Sequence, residues 1–160
     1  LTVSEYNSCV DEFADPVYRF VLKNIRDTEA AKDIVQDTFE KMWRLREGID
    51  PAKAKSYLFT AAYRTLIDFT RRKKNTVSDE RLVNLEAQAE ASSDLRDLID
   101  QALNTLPEIQ RIVISLRDLE GYSYEEIGGM TELSESQVKV YIYRARLAMK
   151  QYLVSREVLV

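Results

Sequence analysis

An all-α fold, built as two small helical domains joined by an acidic linker, is what this sequence predicts, and three observations carry that reading. Only four Gly and three Pro occur in 160 residues, so long helices meet few interruptions. Apolar residues recur at three- and four-residue spacing through two long blocks. Between the blocks, residues 76–94 hold no aromatic residue and set Arg81 against Asp79, Glu80, Glu86, Glu90 and Asp94. A polar, acidic stretch between two periodic blocks reads as a linker, which gives domains at 1–75 and 95–160.

Composition closes off several function classes. The chain has no His and a single Cys, Cys9, so His-ligated metal sites and Ser–His or Cys–His catalysis are unavailable. Glycine-rich phosphate loops are absent as well. No enzymatic activity and no cofactor are expected. No apolar run reaches the ~18–20 residues of a membrane span, and the start lacks a signal-peptide pattern, so a cytoplasmic protein without membrane insertion is expected. Net charge is −4, but it is unevenly spread. Residues 1–75 carry 14 Lys and Arg against 12 Asp and Glu, and residues 95–160 carry 8 against 10.

In the first block, Phe13, Val17, Phe20, Val21 and Ile25 mark one amphipathic helix. Thr28 is placed to cap a second, with Glu29 in its first turn. There Ile34, Val35, Phe39, Met42 and Trp43 form the apolar band and Asp33, Gln36, Asp37, Glu40 and Lys41 fall largely outside it. Gly48 and Pro51 bracket a loop at 48–55. A third helix over 56–74 turns Leu58, Ala61, Ala62, Thr65 and Phe69 to the core, with Phe59, Tyr63 and Ile67 on its flank. It ends in Arg71-Arg72-Lys73-Lys74. Cations interleaved with exposed aromatics suit single-stranded nucleic acid. Lys and Arg at a helix C-terminus equally serve the macrodipole, and these residues alone do not decide between the two.

The second block opens with a helix carrying Leu95, Leu98, Ile99, Ala102, Leu103 and Leu106. Pro107 restarts the chain as a first-turn proline ahead of Ile109, Ile112, Val113 and Leu116. Gly121 closes that helix. Two capping boxes follow, Ser123 with Glu126 and Ser134 with Gln137. They predict a short helix over 124–130 and a longer one over 135–153, the order of a helix-turn-helix. On the longer helix, Val138, Tyr141, Ile142, Ala145 and Met149 face inward. Lys139, Tyr143, Arg146 and Lys150 form a separate stripe fit for a DNA groove.

Several motifs together resemble the extracytoplasmic-function sigma factors, the small promoter-specificity subunits of bacterial RNA polymerase. They are Asp33-Ile-Val-Gln36-Asp37-Thr-Phe39-Glu-Lys-Met-Trp43, then Ser56-Tyr-Leu-Phe-Thr-Ala-Ala-Tyr-Arg64-Thr-Leu-Ile-Asp68 with Arg71-Arg72. Leu106-Pro107, Gln110-Arg111, Leu116, Gly121-Tyr-Ser-Tyr-Glu-Glu-Ile127 and Val138-Lys139 with Arg144-Ala145-Arg146 complete the set. The resemblance implies initiation of transcription by directing core polymerase, through its beta-prime and beta subunits, to promoter DNA. It assigns Asp33, Gln36, Asp37, Glu40 and Lys41 to core binding. Tyr57, Thr60, Tyr63, Arg64, Asp68, Arg71 and Arg72 would read and melt the −10 element, with loop 48–55 capturing a flipped base. Arg117, Lys139, Val140 and Tyr143 would face the −35 duplex, with Arg144 and Arg146 near phosphates. An anti-sigma partner is implied too. Four positions depart from the family pattern: Tyr57 stands for Trp, Arg64 for Asn, and Gly128-Gly129 for an Ala-rich pair. The glycine pair is expected to loosen its helix. Without the resemblance, a stand-alone helix-turn-helix regulator and a helical interaction protein remain open readings.

Overall fold

The computed structural model describes residues 1–76 and 95–156. Apart from Thr76, which ends a helix, the expected linker at 76–94 lies outside the described residues. Seven α-helices stand among those residues, with no strand: α1 (Val3–Ile25), α2 (Thr28–Leu45), α3 (Ala54–Thr76), α4 (Leu95–Asn104), α5 (Glu108–Ile114), α6 (Tyr124–Thr131) and α7 (Glu135–Ser155). Helices α1–α3 make one lobe and α4–α7 the other.

Local chemistry sets the helix ends. Thr2 and Glu5 form a capping box on α1, and Arg26 closes it in the left-handed region at φ 53°. The cap of α2 is Asp27 rather than the expected Thr28: the Asp27 carboxylate accepts from the Ala30 amide at 3.1 Å, and Thr28 is already helical. Two 3₁₀ turns, Arg46–Gly48 and Pro51–Lys53, fill the expected loop. Helix α3 therefore starts two residues earlier than its apolar pattern suggests. Pro107 sits at the cap of α5, not in its first turn, and its carbonyl accepts from the Arg111 amide. Beyond α5 the backbone widens into a π turn over Ser115–Leu119. Gly121, at φ 78°, then reverses the chain, a conformation that costs glycine little.

The two lobes are packed against each other around one continuous core. Val17, Phe20, Phe59, Ala62 and Leu66 from the first belong to the same buried cluster as Ile112, Val113, Leu116, Tyr122 and Ile127 from the second. Phe59, expected on an exposed flank of α3, is fully buried. Its ring lies 5.5 Å from Phe20 and 5.6 Å from Tyr122, so the second lobe covers it. Cys9 is also buried.

Both capping boxes of the helix-turn-helix are formed, on Ser123 with Glu126 and on Ser134 with Gln137. Between them Glu132 takes the left-handed conformation and Leu133 donates to the Gly128 carbonyl. The two glycines differ sharply. A Cβ on Gly128 would stand 2.7 Å from the Leu133 carbonyl oxygen, whereas one on Gly129 would meet nothing within 4 Å. Gly128 is therefore a close-approach residue and not a weak point in α6. Gly129→Ala should raise stability by about 0.5–1 kcal/mol through helix propensity, read as a Tm increase of roughly 2–4 °C. Gly128→Ala should lower Tm in the same thermal scan, since the backbone of the turn must shift.

Candidate nucleic-acid interface

Three surfaces gather the residues singled out from the sequence. On α2, Asp33, Gln36, Asp37, Glu40 and Lys41 are all exposed and share one face at about 100° per residue. Ile34, Phe39 and Met42 anchor the opposite face in the core. Trp43 belongs only partly to that core: it is 38% exposed, with Tyr6 edge-on at 4.9 Å and the Arg46 guanidinium 3.8 Å from its ring centre. Tyr6 in turn donates to the Phe39 carbonyl at 3.0 Å, tying α1 to this helix.

On α3, Tyr57, Thr60, Arg64, Asp68, Arg71 and Arg72 fall in one sector roughly 120° wide, while Tyr63 is turned well away from it. Arg64, Arg71 and Arg72 are exposed, and Tyr57, Thr60 and Asp68 are partly so. The Thr60 hydroxyl donates back to the Ser56 carbonyl at 2.8 Å. Asp68 pairs with Arg71 one turn on. Tyr63 and Arg64 line a cleft of about 310 Å³ closed on the far side by Met130, Thr131 and Glu132. Burial, then the Glu108 and Glu132 carboxylates, push the Tyr63 phenol up from its usual range. The expected row of exposed aromatics on α3 is thus reduced to Tyr57 and half of Tyr63. Phe59 is lost to the core.

The third surface is centred on a residue that carried no role in the sequence reading, Tyr124 at the start of α6. The Arg117 guanidinium lies 4.5 Å from its ring centre and the Lys139 ammonium 5.6 Å. Two cations over one ring are held by its quadrupole. Arg117 also donates to the Tyr122 carbonyl at 2.9 Å. Arg146 reaches the Asp118 carboxylate with two nitrogens, Nε at 3.1 Å and Nη2 closer still. Asp118, with a smaller contribution from the Tyr124 hydroxyl, pushes the Arg146 guanidinium further up from its usual range. The π turn supplies both Arg117 and Asp118 to this face, and α7 supplies Lys139 and Arg146. Tyr143, 69% exposed, and Val140 extend it outward. Arg144 is exposed but lies roughly 140° around α7 from Lys139, off the shared face. A signal for Tyr124 existed in the sequence, since it directly follows the capping Ser123. That two cations converge on it, with Arg146 held on Asp118 beside them, required the fold.

A group of cations beside an exposed ring has the chemistry that phosphate and base-edge contacts use. Residues 9–76 match the family model for sigma-70 region 2, and residues 96–149 match that for sigma-70 region 4. The ECF RNA polymerase sigma factor SigM of Bacillus subtilis is 28% identical over 144 residues, covering 86% of this chain and 88% of that protein. The sigma factor SigV of the same organism is 28% identical over 152 residues, covering 94% and 92%. The solved structure of the sigma factor RpoE of Bartonella quintana, in complex with the anti-sigma factor NepR, superposes with a TM-score of 0.78. It covers 94% of this chain and 98% of that one at 23% identity. With both regions matched in order on one all-helical chain, the protein belongs to the sigma-70 family as an RNA polymerase sigma factor of the extracytoplasmic-function type.

Proposed function

We infer that the two lobes divide promoter reading between them, residues 1–75 engaging core polymerase and the −10 element and residues 95–160 the −35 element, with 76–94 as the tether. The observation that carries this division is the Tyr124-centred cation array, which lies on a different lobe from the exposed acidic face of α2. In this reading Asp33, Gln36, Asp37, Glu40 and Lys41 dock on core polymerase. Tyr57, Thr60, Arg64, Asp68, Arg71 and Arg72 track the opened −10 strand, and Tyr63 joins them when its cleft is vacated. Arg117, Lys139, Val140, Tyr143 and Arg146 face the −35 duplex. Arg144 is left for a phosphate at the edge of the footprint. The chain acts without chemistry of its own: strand opening draws on binding and base capture. It works in the cytoplasm, and no helix among the described residues is long and apolar enough to cross a membrane. An anti-sigma partner is part of this reading, as for the Bartonella quintana relative solved with NepR.

Reconstitution with purified core polymerase and a library of promoter fragments tests the division. Transcripts should start at promoters sharing two elements, and Asp37→Arg should abolish co-elution with core while leaving the fold intact by circular dichroism. Wild-type chain that binds a duplex tightly alone and never alters core polymerase would overturn it.

The −35 face yields a finer expectation, read on a duplex carrying the upstream element recovered from that library. Lys139→Gln should flatten the plot of log affinity against log salt by about 0.9, one phosphate's worth of counterion release. Asp118→Asn should steepen it, because Arg146 gains freedom to reach a phosphate. Tyr143→Ala should leave the slope alone and relax preference at one base pair, a loss of about 1–3 kcal/mol of discrimination there.

A further inference from the structure

Helix α7 buries one face, and the side chains opposite that face form an apolar ridge. Val138, Ile142 and Ala145 are buried. At about 100° per residue, Val140 and Leu147 stand within roughly 20° of the point directly opposite them. Both are 45% exposed, and Tyr143 beside them is 69% exposed. Valine and leucine gain nothing by facing water, yet here they do so two turns apart on one line, with a ring next to them.

Cations flank the ridge on both sides. Lys139 and Arg146 lie on one flank, about 100–120° around the helix from Val140. Tyr124 and Asp118 hold them there, and Lys139 also pairs with Glu135 at 3.4 Å. Arg144 stands on the other flank, about 40° beyond Val140. A major groove is about 12 Å wide, with phosphates along its walls and base edges on its floor. A helix of this cross-section turns its cations toward the walls and its ridge toward the floor. Val140 is in the second turn of α7, within the part of a recognition helix that meets base edges. Leu147 is about 10 Å further along the axis, past that part.

An isopropyl group has no donor and no acceptor. Against the polar edge of guanine, cytosine or adenine it strips water from atoms that it cannot satisfy. The one apolar group on the major-groove floor is the C5-methyl of thymine. Valine and that methyl bury each other without leaving a polar atom unpaired.

We propose that Val140 is a specificity-determining residue that reads a thymine methyl, so that the upstream element holds a T·A pair, in one orientation or the other, where Val140 meets it. This rests on the assignment of α7 to the −35 duplex and names what one part of that surface recognises. The flanking cations set the register on the phosphates, and Val140 supplies sequence information that no charge on α7 carries.

The test uses holoenzyme assembled from the full chain and purified core polymerase, on duplexes carrying the upstream element that selection from promoter fragments yields. Each thymine of that element is replaced in turn by deoxyuridine, which removes the methyl and keeps every hydrogen-bonding atom. One replacement should weaken binding by the parent about fourfold, the worth of one buried methyl group. Val140→Ala should bind the thymine and deoxyuridine duplexes alike at that position, with the parent's salt dependence unchanged. Coupling confined to one side chain and one methyl is the mark of a contact. Equal binding of all the substituted duplexes by the parent, or full discrimination retained by Val140→Ala, would overturn the proposal. An apolar ridge can also take a second copy of the chain, and sedimentation of the free protein reads that outcome. A dimer that Val140→Ala dissolves would assign the ridge to self-association instead. If the holoenzyme ignores the upstream duplex altogether, the −35 assignment itself fails, whereas dependence on the duplex without a methyl effect removes the Val140 reading alone.

Discussion

Helix α3 has more apolar surface than its own lobe covers. Leu58, Ala62 and Leu66 are buried, and so is Phe59 on the adjacent flank, where Tyr122 of the other lobe completes its cover. A three-helix unit of some seventy residues buries a smaller share of its surface than a larger fold does. Burying one more Phe is worth about 1.5–3 kcal/mol, so the second lobe is drawn onto α3. The rest follows from that contact. Tyr63 turns into a cleft, Arg111 on α5 donates to Asn24 on α1, and Tyr122 is pulled out of water together with its hydroxyl.

Much of this was legible in the residues. Seven helices, two capping boxes and the reversal at Gly121 are local events, written within a few positions of one another, and periodicity finds them. Errors at Thr28 and Pro107 are one-residue errors, of the kind that arise when neighbouring residues both suit a cap. Phe59 is a different matter. From the pattern of α3 alone it is a flank residue, and only the non-local partner makes it core. The same holds for Tyr124 and Asp118. Each is an ordinary residue of its own short segment, and their meaning lies in where Lys139 and Arg146 arrive from a different helix.

On the basic face, restraint matters as much as charge. Free lysines and arginines lose rotamer entropy when they engage DNA. Here a tyrosine ring and a carboxylate hold three of them beforehand. Asp118 also partly neutralises Arg146, which fits a chain of net charge −4. In the proposed −35 role, attraction to any phosphate backbone is thereby lowered, and a larger share of the binding is left to base-edge contacts.

The turn of the helix-turn-helix sets how α7 is aimed. Gly128 lets the Leu133 carbonyl come so close that only a hydrogen atom fits between them, so main chain packed on main chain fixes the angle between α6 and α7. Lys139 and Arg146 add contacts to Tyr124 and Asp118, so the outer positions Val140 and Tyr143 are the part of the stripe that can be rewritten without re-aiming the helix. A scaffold of that kind lets paralogues diverge in the sequences they recognise while sharing one docking geometry, and it makes this short turn the natural boundary for grafting one protein's recognition surface onto another.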